Sequence, residues 1–449
     1  MSPAKKLWLI LVVCAVLLGT TSFVNPLIRL ISAAVGAVPV PWVGREIAIA
    51  ESNNTEYEPD AAFNWKHNEY LVVWRGHDGI YGRRVSATGK LVGSSPFAIA
   101  TGPRTRRLPS AAYDPVNDRY LVVWMYDKDN SEDWNINGRF IPWESPDGSL
   151  KEFEIYGSFL YEEQPKVAYS SAQKEFLVVF VKKEPAKNKS EIWGSRVRAS
   201  DGKILGTGIP FLISDNTEFS DNPDVAYNQK RNEYLVTWDV QKASLDVYGA
   251  RLTGDGQILN PGIFSIAGWP NNEGIPAAAA CPDEDQYLVV WQSEKSATNN
   301  DIYARVVFGD AVNSATVHHV ADTVLHDSYP DTACSHNGRQ FLVTWQQQYS
   351  STSGPYGIIG RFVNTETGGG SSLCPGCSAA PAKTASIGDV FGIMVPTASD
   401  ASRTRPAVSG GFGEYLVAWE HLPKGTTDMD VHGKKVMPSA KFLPVVIKK

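Results

Sequence analysis

A six-residue phrase, "EYLVVW" at Glu69–Trp74, returns six more times along the chain, as "RYLVVW", "EFLVVF", "EYLVTW", "QYLVVW", "QFLVTW" and "EYLVAW". Successive copies end 50 to 58 residues apart, except for a last step of 74 residues. A strand with one solvated face alternates apolar and polar residues, whereas this phrase is apolar almost throughout. We therefore expect repeated sheets in which the same strand is buried on both faces.

Each phrase lies within a longer unit of four short elements that turn residues separate. The first element has a Pro followed by small residues, as in "PDAAF" at Pro59, the third resembles "IYGRRV" at Ile80, and the fourth resembles "FAIA" at Phe97. Such elements predict antiparallel strands, and four strands in about 50 residues suit one blade of a β-propeller. The pattern predicts an all-β, seven-bladed β-propeller over residues 41–449, with an insertion near residues 365–385 in the last repeat.

Two segments compete to complete the seventh blade. "REIAIAES" (Arg45–Ser52) precedes the first unit, and "FLPVVI" (Phe442–Ile447) follows the last. A strand from the far end of the chain would remove a free sheet edge that invites aggregation. We favour the N-terminal segment for this role.

The order of strand, turn, strand, "IYG" and glycine turn resembles the TolB-like and WD-repeat-like propeller families, and so a bacterial-type secreted seven-bladed β-propeller. The resemblance spans about residues 45–449. The Trp-Asp dipeptide of WD repeats, the double glycine of Kelch repeats and the full Ser-x-Asp-x-Gly-x-x-Trp turn of sialidases are not found at the expected places. The resemblance therefore implies an architecture and no catalytic residue.

Residues 1–40 form a separate hydrophobic segment for which a helix is expected. Lys5 and Lys6 precede an apolar run from Leu7 to Leu18, which is typical of a cleaved signal peptide or of an N-terminal membrane anchor. Both alternatives predict an extracytoplasmic protein, secreted or anchored, that touches the membrane only through this segment. The formal net charge of −6 argues against nucleic acid as a partner, and we expect a monomer.

Four of the five cysteines lie in the repeat region. Cys281 and Cys334 occupy similar points on the first strands of adjacent units. A disulfide between them is one alternative, but two small buried residues are the favoured interpretation. "CPGC" (Cys374–Cys377) lies in the Gly/Ser-rich insertion, which favours a local disulfide or two exposed thiols.

Function on a repeat scaffold usually lies in its variable loops, here those that precede the first strand and follow the second strand of each unit. The residue three before each unit's Pro should therefore ring the mouth of the central channel. The predicted ligand-binding members of this ring are Glu56, Arg106, Glu162, Glu273, Asp327 and Arg403. The alternative is a solvated rim with ion pairs between blades.

A second candidate site is the loop "DKDNSED", where Asp127, Asp129, Ser131 and Asp133 alternate. Oxygen ligands at that spacing suggest calcium, the one cofactor considered. The glycine of a tight calcium turn is missing, so an ordinary acidic loop is the alternative. Arginine or lysine also recurs beside the Gly or Ala of each third strand, which we interpret as a structural role.

The favoured function is an exported binding scaffold for a glycan, a peptide or an envelope protein, rather than an enzyme. The alternative is a glycan-cleaving hydrolase with two carboxylates at the channel mouth. The candidates for that pair are Glu162, Glu163, Glu273 and Asp327. A purely structural surface component is the third possibility.

Overall fold

A computed structural model describes residues 41–438 apart from residues 53, 130–132, 147–150, 216–217, 297–298, 310–316, 337–339, 350–353, 366–384, 397–401 and 424. The expected N-terminal helix, "CPGC" and "FLPVVI" therefore lie outside the described residues. Within the part described, no helix is long and apolar enough to cross a membrane.

The chain is a seven-bladed β-propeller, because its strands form seven separate four-stranded sheets. Blade 1 consists of β2 (Tyr57–Asn64), β3 (Glu69–Gly76), β4 (Gly79–Ser86) and β5 (Leu91–Thr101). Blade 2 consists of β6 (Arg106–Asp114), β7 (Arg119–Asp127), β8 (Trp134–Pro142) and β9 (Phe153–Tyr156). Blade 3 consists of β10 (Tyr161–Ser170), β11 (Glu175–Glu184), β12 (Lys189–Arg198) and β13 (Phe211–Leu212), with a 3-10 turn at Pro185–Lys187.

The remaining blades repeat this order. Blade 4 consists of β14 (Phe219–Asn228), β15 (Glu233–Gln241), β16 (Leu245–Thr253) and β17 (Ile258–Ala267). Blade 5 consists of β18 (Glu273–Ala280), β19 (Gln286–Ser296), β20 (Asn299–Phe308) and β21 (Val317–Ala321). Blade 6 consists of β22 (Asp327–Cys334), β23 (Gln340–Gln348), β24 (Tyr356–Thr365) and β25 (Ala385–Met394). Blade 7 consists of β26 (Arg403–Gly410), β27 (Tyr415–His421), β28 (Asp430–Met437) and β1 (Trp42–Ala50).

The N-terminal strand closes the propeller, as the sequence predicts. β1 is hydrogen-bonded to β28 and is the fourth strand of blade 7. Ile49 of β1 is fully buried in the apolar cluster between blades 7 and 1, where it lies with Trp74 and Leu416. The two ends of the repeat region are thus joined by one sheet.

Seven apolar clusters, one between each pair of adjacent blades, make up the core. Each cluster contains the aromatic residue that ends one copy of the repeated phrase. These residues are at most 2% exposed and are Trp74, Trp124, Phe180, Trp238, Trp291, Trp345 and Trp419. This burial confirms the prediction that the repeated strand is covered on both faces. One face of the second strand packs on the preceding blade and the other on the following blade.

The basic residues of the third strands tie the blades together. Arg83 donates to the carbonyl of Ile49 at 2.9 Å, and Lys434 donates to the carbonyl of Ile393 at 2.9 Å. Each acceptor lies on the outer strand of the preceding blade. The same link is made by Arg139 to Ile99, by Arg305 to Ile266 and by Arg361 to Val320. The predicted structural role is confirmed.

Cys281 and Cys334 form a disulfide between blades 5 and 6, with their Cα atoms 5.2 Å apart. The favoured interpretation of two unbridged core residues was therefore wrong. Both residues do lie in the apolar cluster between these blades, so burial and bridging are not exclusive. The sequence could not distinguish them because it does not give the distance between the two strands.

Replacing both cysteines by serine should lower the free energy of unfolding by about 2–4 kcal/mol, because the bridge closes a loop of 53 residues in the unfolded chain. Denaturant unfolding of the variant and of the reduced wild type measures this loss. A midpoint equal to that of the oxidised wild type would show that the bridge does not contribute to stability.

Candidate binding site at the central channel

Each innermost strand is bent at the residue before its Pro. That residue has a left-handed backbone, with φ between 48° and 56°, in all seven blades, at Glu58, Leu108, Gln164, Asn222, Ile275, Tyr329 and Arg405. The pairing register shifts at the same points, as expected of β-bulges. Pro is tolerated there because the innermost strand is an edge strand and needs no donor on its channel side.

The backbone N–H groups of these bulges connect neighbouring blades. The N–H of Glu58 donates to Glu420 at 2.9 Å, and the N–H of Arg405 donates to Gln346 at 2.9 Å. Both acceptors follow the buried Trp of the preceding blade's second strand. In blade 1, the residue after the buried Trp is Arg75, and there the Glu58 carboxylate accepts the N–H of Leu108 at 2.7 Å. The bulges therefore fix the channel wall and leave the mouth preorganised.

A pocket of about 370 Å³ opens between blades 7 and 1 at this level, and we call it the mouth pocket. It is lined by Tyr57, Glu58, Arg75, Arg405 and Glu420. It lies on the top face, which is formed by the connections between blades and by the loops after the second strands. The hairpins between first and second strands form the opposite, bottom face.

In the mouth pocket, the Glu420 carboxylate is fully hydrogen-bonded, whereas the two guanidinium groups are not. Glu420 accepts the hydroxyl of Thr404 at 2.7 Å in addition to the Glu58 N–H, so both of its oxygens have partners. The guanidinium of Arg75 lies 5.7 Å from the ring centre of Tyr57 and 3.8 Å from a Glu58 oxygen. Neither Arg75 nor Arg405 donates a side-chain hydrogen bond to another described residue, so their donors are available to a ligand.

Four charged side chains come together in the channel, and we call them the channel cluster. Each lies two residues after the left-handed residue of its innermost strand. They are Asp60, Lys166, Asp224 and Asp331, each directly after its blade's Pro and each half-buried. Three of these positions carry a carboxylate that accepts a backbone N–H from the next blade. The donors are Ala111 to Asp60 at 2.8 Å, Ala278 to Asp224 at 2.7 Å and Val408 to Asp331 at 2.7 Å.

The charges of the channel cluster act on one another across the channel. Burial raises the pKa of Asp331 to about 7, against the opposing effect of Lys166. Burial also raises the pKa of Asp224. Burial alone would lower the pKa of Lys166, but Asp60, Asp224 and Asp331 together raise it. At neutral pH the cluster therefore holds a charged lysine beside a carboxyl that readily gains or loses a proton.

The acidic members of the predicted ring are placed differently, because their side chains are buried. Each carboxylate folds back over the connection between blades and accepts a hydrogen bond from the residue four before it. The donors are the Ser52 hydroxyl to Glu56, the Ser158 hydroxyl to Glu162, the Trp269 N–H to Glu273 and the Thr323 hydroxyl to Asp327. Their exposure is 6% for Glu56 and 0% for the other three.

Burial changes the ionisation of these four carboxyls. It raises the pKa of Glu56, Glu162 and Glu273 to about 7 and that of Asp327 to about 6. In the structure, these four carboxylates are therefore buried hydrogen-bond acceptors and not an open ring around the channel mouth. Their binding of a ligand stays a prediction.

The two predicted basic members are also buried, at 5% exposure each. Arg106 lies over the ring of Tyr126 and pairs with Glu152 at 3.4 Å. Arg403 begins β26. Glu163, a further hydrolase candidate, pairs with Lys183 at 2.6 Å.

The predicted calcium loop connects β7 and β8. Asp127 ends β7 and Asp133 directly precedes β8, while Ser131 lies outside the described residues. Burial raises the pKa of Asp133, and the charges of Asp129 and Asp127 act in the same direction. The carboxylates are therefore close enough to interact, and calcium binding stays a prediction.

The residues of the channel cluster were not predicted, although the repeat carried a signal for them. The residue after each Pro reads Asp, Ser, Lys, Asp, Ala, Asp and Ala through the seven blades. Charge at four otherwise small, strand-internal positions was the available signal. The bulge before the Pro decides that these positions, rather than those three before the Pro, carry the charges that meet in the channel.

Comparison with known proteins adds little to this geometry. No protein-family model matches the chain, and no curated protein matches it. The polysaccharide lyase Uly1 aligns with 89% of this chain and 100% of its own at 8% identity and a TM-score of 0.49. The β-propeller domain of the Trilobed protease from Pyrococcus furiosus aligns with 88% and 99% at 9% identity and a TM-score of 0.47.

An endo-arabinase from Bacteroides thetaiotaomicron VPI-5482 aligns with 57% of this chain and 96% of its own at 12% identity and a TM-score of 0.39. Likeness at this level does not transfer a substrate or a catalytic residue. The resemblance to TolB-like propellers stays a prediction.

Proposed function

We propose that the protein binds a glycan at the mouth of its central channel. The observation that carries the proposal is the mouth pocket, in which two guanidinium groups with available donors stand beside the ring of Tyr57 and fixed carboxylates. Aromatic faces pack on the apolar faces of sugar rings, and charged donors and acceptors satisfy hydroxyl or carboxylate groups. The disulfide supports export to an oxidising compartment.

Replacing Arg405 by Ala should weaken glycan binding about tenfold or more, because the variant loses a charge-assisted donor set in the pocket. A broad glycan array identifies the ligand, and calorimetric titration measures its Kd. Arg198→Ala is the matched control, since that side chain is 40% exposed and pairs with Asp201 at 3.0 Å on the bottom face.

Two results would contradict the mouth pocket as the binding site. One is an unchanged Kd for Arg405→Ala, and the other is an equal loss in Arg198→Ala. A peptide or an envelope protein as the sole ligand in parallel pull-downs would contradict the glycan class while leaving the pocket in place.

Glycan cleavage is a second candidate function, and the channel cluster favours it. A glycoside hydrolase needs one protonated and one ionised carboxyl near the scissile bond. Asp331, with its pKa raised to about 7 by burial, suits the acid. Asp224 is the candidate for its ionised partner, because the positive charge of Lys166 opposes the raising effect of burial on the pKa of Asp224.

Asp331→Asn should then reduce kcat at least about a hundredfold while changing KM little, because the amide cannot give up a proton. Wild-type activity should fall as the pH rises above about 7, where the acid loses its proton. Product release from the bound glycan is followed over time at several pH values. Equal rates for Asp331→Asn and wild type would rule out this acid.

A further inference from the structure

Three metal-ligating side chains gather on blade 7, where the propeller closes. Glu46 lies on β1, His421 ends β27 and His432 lies on β28, and one ligating atom from each falls within 4.8 Å of the others. His432 Nδ1 is 2.8 Å from Glu46 Oε1, and the two imidazole rings stack with centres 4.2 Å apart. We call these three residues the closure cluster.

We infer that the closure cluster is a zinc site, with Glu46, His421 and His432 as protein ligands and solvent at the fourth position. Two imidazoles and one carboxylate form a ligand set that Zn²⁺ prefers in sites with an open position. Bonds of about 2.0–2.2 Å in a tetrahedron place ligand atoms about 3.3 Å apart. The pair at 2.8 Å needs to open by only about 0.5 Å when zinc replaces the Nδ1 proton.

The surroundings of His432 suit a metal-bound imidazole. Glu51 Oε1 lies 3.2 Å from Nε2, on the other side of the ring from Glu46, but without the alignment of a hydrogen bond. Metal-ligating histidines usually present their second ring N–H to a carboxylate, which fixes the tautomer and the ring orientation. His432 is 8% exposed and so has a fixed ring, whereas the Glu51 side chain is 59% exposed and leaves a route from solvent.

A second cluster of the same residue types lies in blade 5. Asp301, His319 and Asp322 are equally close together. There, however, Lys295 Nζ lies 3.1 Å from Asp301 and 3.0 Å from Asp322. An ammonium group thus already pairs with both carboxylates.

In the closure cluster, Lys434 of the same blade acts on the Glu46 carboxylate through its charge. Its ammonium group donates to the carbonyl of Ile393 at 2.9 Å. Zinc at the closure cluster would connect β1, which comes from the start of the chain, to β27 and β28, which come from its end. The ion would thereby strengthen the one sheet that holds the propeller closed.

The test uses the full chain without a polyhistidine tag, freed of metal by chelation and titrated with ZnCl2 in a calorimeter. We expect one zinc per chain, and a rise in Tm of at least about 3 °C at a hundredfold excess over Kd. His421→Gln and Glu46→Gln should each lose at least tenfold in affinity. His319→Gln, in the lysine-filled cluster, should bind zinc as wild type does.

Neither Glu46 nor His421 is fully buried, so these variants separate metal binding from folding. Circular dichroism of the metal-free proteins checks that they fold. Co²⁺ in place of zinc should give the visible absorption of a tetrahedral site in wild type and His319→Gln only. Absence of saturable zinc binding in wild type, or wild-type affinity in His421→Gln, would overturn the proposal.

Discussion

The Ile49→Ala variant is expected to lose about 2–5 kcal/mol of unfolding free energy, a large effect for one side chain near the chain terminus. Ile49 is 0% exposed in the cluster between blades 7 and 1. Truncation leaves a cavity at the joint between the first and last blades. Blade 7, on one side of that joint, is built from strands of both ends of the repeat region.

Chemical denaturation measures this effect. The control is Arg45→Ala in the same strand, where an exposed side chain should change stability by less than about 0.5 kcal/mol. Deleting β1 entirely should lower Tm further, because the deletion also removes the Ile49 carbonyl that accepts from Arg83. Similar stability for Ile49→Ala and Arg45→Ala would mean that β1 does not close the propeller in solution.

The second large effect is a loss of stability as the pH rises from 6.5 to 8. Burial raises the pKa of Glu56, Glu162, Glu273, Asp239 and Asp331 to about 7. A carboxyl whose folded pKa lies above its unfolded value of about 4 contributes stability below that value and loses it as the pH passes the folded pKa. Each such group should contribute a loss of about 0.8 kcal/mol over this interval.

Three histidines and one lysine oppose this loss of stability, but only outside the interval from pH 6.5 to pH 8. Burial lowers the pKa of His318, His326 and His336, so these residues oppose the trend only below pH 6.5. Burial lowers the pKa of Lys435 to about 8, so that its opposing effect begins near pH 8. We expect Tm to fall by about 5 °C or more between pH 6.5 and pH 8.

The double variant Glu162→Gln, Glu273→Gln tests the cause. Its Tm should depend less on pH than that of wild type, because two of the five groups no longer titrate. Calorimetric scans at matched ionic strength provide the measurement, and Glu294→Gln is a control on β19. A wild-type Tm that rises from pH 6.5 to pH 8, or an unchanged slope in the double variant, would show that these carboxyls are not buried as described.

The repeat made the architecture predictable because its signal is local and recurs in every blade. The unbroken apolar phrase predicts a strand covered on both sides, and Trp124 or Trp291 is buried for that reason. β1 was also predictable, since "REIAIAES" has the pattern of an outer strand without a blade of its own.

The candidate site was less predictable because it depends on backbone direction and on distant contacts. The left-handed residue before each Pro changes the direction of the backbone. Glu162 and Asp327 therefore fold back over the connection between blades, whereas a charged residue after the Pro, such as Asp331, lies in the channel. The closure cluster joins Glu46 to His432, 386 positions away. Only the position of β1 beside β28 brings those two residues together.

A crystal structure with the glycan that the array identifies would locate the binding site. We expect electron density for the sugar in the mouth pocket, against Tyr57 and Arg405. A second cavity, of about 480 Å³, lies at the outer edge of blades 3 and 4 and is lined by residues such as Phe211 and Ile258. Sugar density in that cavity or on the bottom face, with no sugar bound at the channel mouth, would show that the mouth pocket is not the binding site.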